Sequence, residues 1–265
     1  MFIVKYKKIF LFLSTALVVI SMVSIFTFGL KPGIDFKGGA LLEVSYANSL
    51  SGRPEISMIQ NSIKALDVNQ ALIQPTGEND YIIKTRDLNQ SEHEMIFESL
   101  SLGGKYSVSE KSFNSIGPSV GSELARKATV SIIVVILAII LFITYAFRKV
   151  SQPVASWKYG VITVITLLHD IIIPTGIFAL LSYYTGAEVD TLFVLALLTI
   201  LGLSVHDKIV VFDRIRENLR GGDKKSFEET VGTSTSQTIV RSINITLTII
   251  FVLVPLYLFG PETTK

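Results

Sequence analysis

Ionisable side chains interrupt three stretches that are otherwise apolar enough for a bilayer: His169-Asp170, His206-Asp207-Lys208, and Arg241 within the polar run Thr233 to Thr248. A charged group at membrane depth costs about 2.5–3.5 kcal/mol on insertion scales, so such residues tend to face a bundle interior and to have a task there. The task open to this set is binding and releasing protons. If the last two stretches form a helical hairpin turning near Gly221-Gly222, Asp207 stands about 14 residues before the turn and Arg241 about 19 after it, at similar depth. An Asp facing an Arg across two helices offsets the insertion cost of both, and protonation breaks the pair, which makes a two-state switch. A plainer role stays open for both, as residues that mark the cytoplasmic interface.

Asp170 is short and mid-span, so it is expected to face the bundle interior with His169 as its hydrogen-bond partner. Lys208 follows Asp207 at about 100° around a helix, so the two cannot face one partner. Asn244, three residues after Arg241, shares its face. The Ser and Thr residues around it suit close helix packing. The run Asp213 to Arg220 reads as a basic amphipathic continuation that anchors at an anionic leaflet. Two buried carboxylates also raise an intramembrane hydrolase, but Asp170 reads as mid-bilayer and Asp207 as nearer the cytoplasm, too far apart for a catalytic pair. No catalytic residue is assigned and no enzymatic activity is expected. The sequence has no Cys, which excludes disulfides, thiolate metal sites and Cys nucleophiles, and no metal site is assigned.

Membrane helices must carry these residues. The chain has 265 residues, 49% hydrophobic and 17% charged, where soluble domains have about a quarter charged. Its apolar runs are Ile9 to Leu30, Ala128 to Phe147, Gly160 to Leu181, Leu192 to Phe212 and Ile243 to Phe259. Each is close to the roughly 20 helical residues that cross about 30 Å of hydrocarbon, which predicts five spans. The first is longer than a signal-peptide core and lacks a small-residue cleavage site, so it is read as a retained anchor.

Short connections fix an expected orientation. Lys5, Lys7 and Lys8, then Arg148, Lys149 and Lys158, then Arg214, Arg216, Arg220, Lys224 and Lys225 lie at ends that belong on one side, whereas Ser182 to Thr191 has no Lys or Arg and carries Glu188 and Asp190. By the positive-inside rule the basic ends and the N-terminus are cytoplasmic, and residues 31–127 are extracytoplasmic. The net charge of +2 implies no nucleic-acid partner.

Within residues 31–127, Ala40 to Tyr46, Ala71 to Gln74, Tyr81 to Thr85 and Tyr106 to Ser112 read as strands, with helices over Ser57 to Leu66 and Glu92 to Leu100. The order β-α-β-β-α-β predicts a ferredoxin-like unit. His93 is expected on an exposed helical face, and the domain is expected to serve contact, not chemistry. The fold class is thus an α-helical polytopic membrane protein with five transmembrane helices and one small α+β ferredoxin-like extracytoplasmic domain.

Several motifs recur in a fixed order: Gly33-Ile34-Asp35-Phe36-Lys37-Gly38-Gly39 after the first span, Ile116 to Leu124 before the second, Leu168-His169-Asp170 in the third, Gly202 to Asp207 with Val210 to Asn218 in the fourth, and Arg241-Ser242-Ile243-Asn244 opening the fifth. Together they resemble the bacterial SecF family of the SecD-SecF protein-export complex, part of the resistance-nodulation-division superfamily. The resemblance runs over essentially the whole chain, with Gly33, Asp35, Phe36, Gly38, Gly39, Asp213 and Arg214 as its signature.

The resemblance implies a subunit of the bacterial plasma (inner) membrane that pairs with SecD, associates with the SecYEG translocon and uses the proton motive force to draw preproteins outward. No cofactor beyond protons is implied. The residues matching Asp207 and Arg241 are implicated in proton movement in that family, and SecD supplies a further Asp. This sequence departs in two places. His206 and Lys208 flank Asp207 where Asn and Ser or Thr are usual, and an extra cation nearby is expected to favour the ionised Asp. The family's sixth span, which follows the segment matching Leu256 to Pro261, is not reached before Lys265, so either the sequence is a fragment, or that helix is encoded separately, or the protein has degenerated. Two alternatives stand: a scaffold that stabilises SecD without moving protons, and half of a superfamily exporter of small molecules or lipids, for which the outside domain is small.

Overall fold

The computed structural model describes residues 2–47, 52–66, 71–146, 156–221 and 226–259. They form α1 (Phe2–Lys5), α2 (Lys7–Phe28), α3 (Ile34–Lys37), β1 (Gly39–Ser45), α4 (Ile56–Lys64), β2 (Leu72–Thr76), β3 (Asp80–Thr85), α5 (Gln90–Ser99) and β4 (Ser109–Ile116). Four long helices follow: α6 (Pro118–Ala146), α7 (Ser156–Thr185), α8 (Thr191–Arg220) and α9 (Phe227–Phe259). Two compact units result, one built from residues 1–29, 133–184 and 196–265, the other from residues 30–132 and 185–195.

In the second unit the strands lie in the order β2-β3-β1-β4 with all neighbours antiparallel, which is the ferredoxin-like arrangement expected from the sequence. Alternation in β1 puts Ala40, Leu42 and Val44 into a core completed by Ile59 and Ile63 of α4 and Ile96 of α5. Asn89 and Glu92 close a reciprocal capping box at the start of α5. Tyr46 donates to the Leu100 carbonyl (3.1 Å) and Tyr81 to the Pro54 carbonyl (2.7 Å), so neither phenol is buried unpaired.

Two expectations for this unit are corrected. The last strand runs Ser109–Ile116, not Tyr106 to Ser112: Tyr106 anchors the core before pairing begins, and β4 is a polar edge strand without the apolar alternation that marks strands. His93 is buried, not exposed; it stacks on Phe113 with ring centroids 3.8 Å apart, and its Nε2 is 2.9 Å from Glu110.

The five expected spans all appear as helices long and apolar enough to cross a membrane, α2 and α6 to α9. Each of these helices begins before its apolar run. Phe147, Arg148, Lys149, Gly222, Lys224, Lys225 and the stretch Gly260 to Lys265 lie outside the described residues. In this first unit Ile143 of α6, Tyr159 and Leu167 of α7, and Leu201 and Val205 of α8 form the buried core. Small residues bring helices together: a Cβ at Gly176 of α7 would meet Ser21 Cβ of α2 at 2.3 Å, and Ser24 donates to the Gly176 carbonyl (2.8 Å).

Along α9 the polar run is mostly self-satisfied. Thr230, Ser234 and Thr238 are buried and donate to carbonyls four residues back, as a hydroxyl in an apolar setting must find some acceptor. Asn218 of α8 donates to Ser234 (2.8 Å) and Arg214 to Gln237 (2.7 Å), which zips α8 and α9 as antiparallel neighbours. Lys7 of α2 also pairs with Glu228 of α9.

Candidate functional site

Pro174 interrupts α7 one turn after Asp170 and has no N–H to give the Asp170 carbonyl, so the helix is loosened where its one mid-span carboxylate sits. Lys208 Nζ of α8 lies 2.6 Å from Asp170 Oδ2. Ser204, one turn before Lys208 on the same face, donates to the same carboxylate oxygen and accepts from Lys208. His169 Nδ1 is 3.0 Å from Asp170 Oδ1. Asp170 is therefore held by a cation, a hydroxyl and an imidazole at once.

Asp207 faces the other way, towards α9. Ser242 donates to its Oδ1 at 2.7 Å, and among the described residues it makes no ion pair. The angular argument for residues 207 and 208 is thus realised by two different neighbours, α9 and α7. A cavity of about 430 Å³ is bordered by His169, Asp170, Ser204, His206, Asp207 and Ser242, and another of about 700 Å³ by Ser14 and Thr15 of α2 with Asp170, Ser204, Asp207 and Lys208.

The expected facing of Asp207 and Arg241 is half realised. The hairpin brings α9 to the right height, but the side chain on Asp207 is Ser242, the neighbour of Arg241; Arg241 and Asn244 are exposed, and among the described residues Arg241 forms no ion pair. One step along a helix turns a side chain by about 100°, so Ser242 and Arg241 cannot both face α8. Asp170 and Asp207 also border the same two cavities, so they lie nearer each other than the expectation of separate depths implied. Lys208, expected to act on Asp207, is engaged by Asp170. The i, i+4 spacing of Ser204 and Lys208 puts both on one face of α8, but spacing alone does not choose Asp170 as their partner.

The signature residues before β1 converge elsewhere, at the base of the sheet unit. Gly38 (φ +81) and Gly39 (φ +133) adopt backbone that side chains rarely take, and a Cβ would fall 2.8 Å from Pro118 Cα and 2.8 Å from the Thr85 carbonyl respectively. Gly33 donates to the Val189 carbonyl (2.8 Å), and Asp35 Oδ2 accepts from the Thr191 amide (2.9 Å). Phe36 lies in the short α3 and is half-buried. Asp213 and Arg214 are on α8, where Asp213 lies 3.7 Å from Arg216 and Arg214 pairs with Glu217 (2.6 Å).

In the sheet unit, burial pushes the Asp80 carboxyl up, but hydrogen bonds from Lys111 and Ser45 and the charges of Lys111 and Arg53 outweigh it and hold Asp80 below the usual carboxylate range. The same contact with Asp80 holds Lys111 above the usual lysine range.

Comparison with known proteins places this geometry in a family. The profile described as "Protein export membrane protein SecD/SecF, C-terminal" matches residues 97–265, and that of the "SecD/SecF GG Motif" matches residues 23–49. The chain is 37% identical to the "Protein translocase subunit SecF" of Thermobaculum terrenum over 99% of its own length and 84% of that protein, and 34% identical to that of Anaerolinea thermophila over 98% and 83%. It is 30% identical to the "Protein translocase subunit SecDF" of Bacillus subtilis over 97% of the chain and 33% of that protein. The crystal structure of a translocon-associated SecDF from a Thermus species superposes with a TM-score of 0.80 at 24% identity, over 98% of this chain and 34% of that one, a likeness of fold. From the two profiles and the near full-length identity, the chain belongs to the SecD/SecF family of protein-export membrane proteins.

Proposed function

We propose that the chain works as a SecF-type subunit which, together with SecD, uses the proton motive force to promote preprotein passage through the SecYEG translocon of the bacterial plasma membrane, with Asp207 as the proton carrier. One observation carries this reading: Asp207 borders a cavity and is held by a neutral hydroxyl, while the nearest lysine in sequence, Lys208, is taken up by Asp170. Protonation of a carboxylate that no contacting cation offsets neutralises a charge without stranding a paired cation, whereas protonation of Asp170 would leave Lys208 unpaired. Asp170, with its cation in place, serves as a fixed counter-charge.

The names of the relatives, one of them a single SecDF chain, support partnership with SecD. Arg241 and Asn244 are exposed on the helix that carries Ser242, which suits a carboxylate offered by the partner subunit. For orientation, the loop carrying Glu188 and Asp190 is hydrogen-bonded to the segment before β1, which supports their lying on one side; the lack of Lys and Arg in that loop supports the outer one.

The scaffold reading draws on the same Lys208–Asp170 pair, since a satisfied ion pair is also a static strut. Export separates the two. Asp207→Asn, matched to wild-type abundance beside SecD in cells depleted of their own SecF, is expected to abolish export of a reporter preprotein. Rescue by Asp207→Asn as good as by wild type establishes the scaffold instead.

A further inference from the structure

A helix beginning at Thr191 leaves its first amides without helical partners, and one side chain at the N-cap ordinarily serves them. Asp190 already does so, accepting from the Phe193 amide at 2.7 Å. Yet the Thr191 amide is taken by a second carboxylate, Asp35, from a segment 156 residues earlier in the chain. Capping alone does not require it.

Asp35 is one of several ties at the same place. The Gly33 amide donates to the Val189 carbonyl (2.8 Å) and the Val189 amide to the Lys31 carbonyl (2.7 Å), which makes Pro32 and Val189 parallel bridge partners. Glu188 forms an ion pair with Lys84 of β3 at 3.0 Å. A Cβ at Gly33 would press the Val189 carbonyl at 3.2 Å, so the approach depends on glycine. The segment that holds α8 by its end is itself held to β3 and to Pro118 through the close contacts of Gly39 and Gly38.

We propose that Asp35 is a positioning residue, which clamps the first turn of α8 to the sheet of the second unit, and that export depends on this clamp. The negative carboxylate at a helix N-terminus also matches the helix dipole. The clamp gives a physical reason for an acid in the glycine-rich segment after α2, and its effect on export rests on the reading of the chain as an export subunit.

The test uses the full chain with SecD, in which the absence of native Cys makes engineered pairs clean. Thr191→Pro deletes the donor to Asp35 while leaving the Asp190 cap, because proline is favoured at the first helical position. Asp35→Ala deletes the acceptor, and Asp35→Asn keeps one. Pro32→Cys with Val189→Cys joins bridge neighbours, which sit about 4.8 Å apart as paired strands do, within the reach of a disulfide.

Loss of a cap bond of about 1 kcal/mol corresponds to roughly fivefold faster hydrogen exchange in the first turn of α8, expected for Asp35→Ala and not for Asp35→Asn. At matched abundance, Asp35→Ala and Thr191→Pro are expected to lower export to the level of Asp207→Asn, and the oxidised cysteine pair to restore it, reversibly with reductant. Wild-type export by both variants overturns the clamp, as does failure of the disulfide to restore export once first-turn protection has returned. If Asp207→Asn exports normally while Asp35→Ala fails and is rescued, the clamp stands and the proton reading falls.

Discussion

Lys208 Nζ stands 2.6 Å from Asp170 Oδ2, across α7 and α8, and leaves Asp207, its neighbour in sequence, to the hydroxyl of Ser242. Two carboxylates bordering one cavity are thereby given unequal partners. That inequality, and not the presence of acids in the membrane helices as such, is what the proposed roles of Asp170 and Asp207 rest on.

Removing one member of a largely buried ion pair strands the other, at a cost of about 3 kcal/mol or more. Lys208→Met is expected to destabilise the detergent-solubilised protein by about that amount, whereas Lys208→Met combined with Asp170→Leu recovers most of the loss. Equilibrium unfolding of the two variants measures this; equal loss in both contradicts the pairing.

Close approach of α2 and α7 depends on Gly176, where an added Cβ would overlap Ser21 Cβ at 2.3 Å and Ser21 Cα at 2.4 Å. Overpacking of this kind costs about 1–3 kcal/mol. Gly176→Ala is therefore expected to lower the midpoint of thermal inactivation, while Gly202→Ala, with nothing near its Cβ, is expected to leave it unchanged or slightly higher.

In the sheet unit, Asp80 titrates below its ordinary value and Lys111 above its own. A lowered acid contributes stability that is present above the unfolded carboxylate value of about 4 and is lost as pH falls through the lower folded value. The raised lysine contributes stability that is present below about 10.4 and is lost as pH rises through the higher folded value. Between these limits the contribution is flat. Amide exchange of β1 and β3, corrected for its intrinsic pH dependence, is expected to show a protection difference between wild type and Lys111→Met at neutral pH that vanishes in strong acid.

Helix positions and the β-α-β-β-α-β order were legible because apolar run length and alternation report directly on solvent and period, as in β1 with Ala40, Leu42 and Val44. β4 was misplaced because Ser109–Ile116 is an edge strand rich in polar residues, where pairing and not pattern determines the structure. His93 was misread because its neighbours Glu92 and Glu94 are polar, while the ring itself is covered by Phe113 of β4. At the membrane site the residue types were legible but the partners were not. A hairpin fixes which turns meet, yet choosing Ser242 over Arg241, or Asp170 over Asp207, depends on rotation about each helix axis, and that is set by packing across α7, α8 and α9 together.

The most direct test of the account is the infrared carboxylic C=O band of the full chain with SecD in lipid, followed as pH is lowered. The account predicts that the band of a newly protonated membrane carboxyl is lost in Asp207→Asn and kept in Asp170→Asn. A band that persists in Asp207→Asn and disappears in Asp170→Asn contradicts it, and makes Asp170 the carrier with Lys208 as its displaced partner.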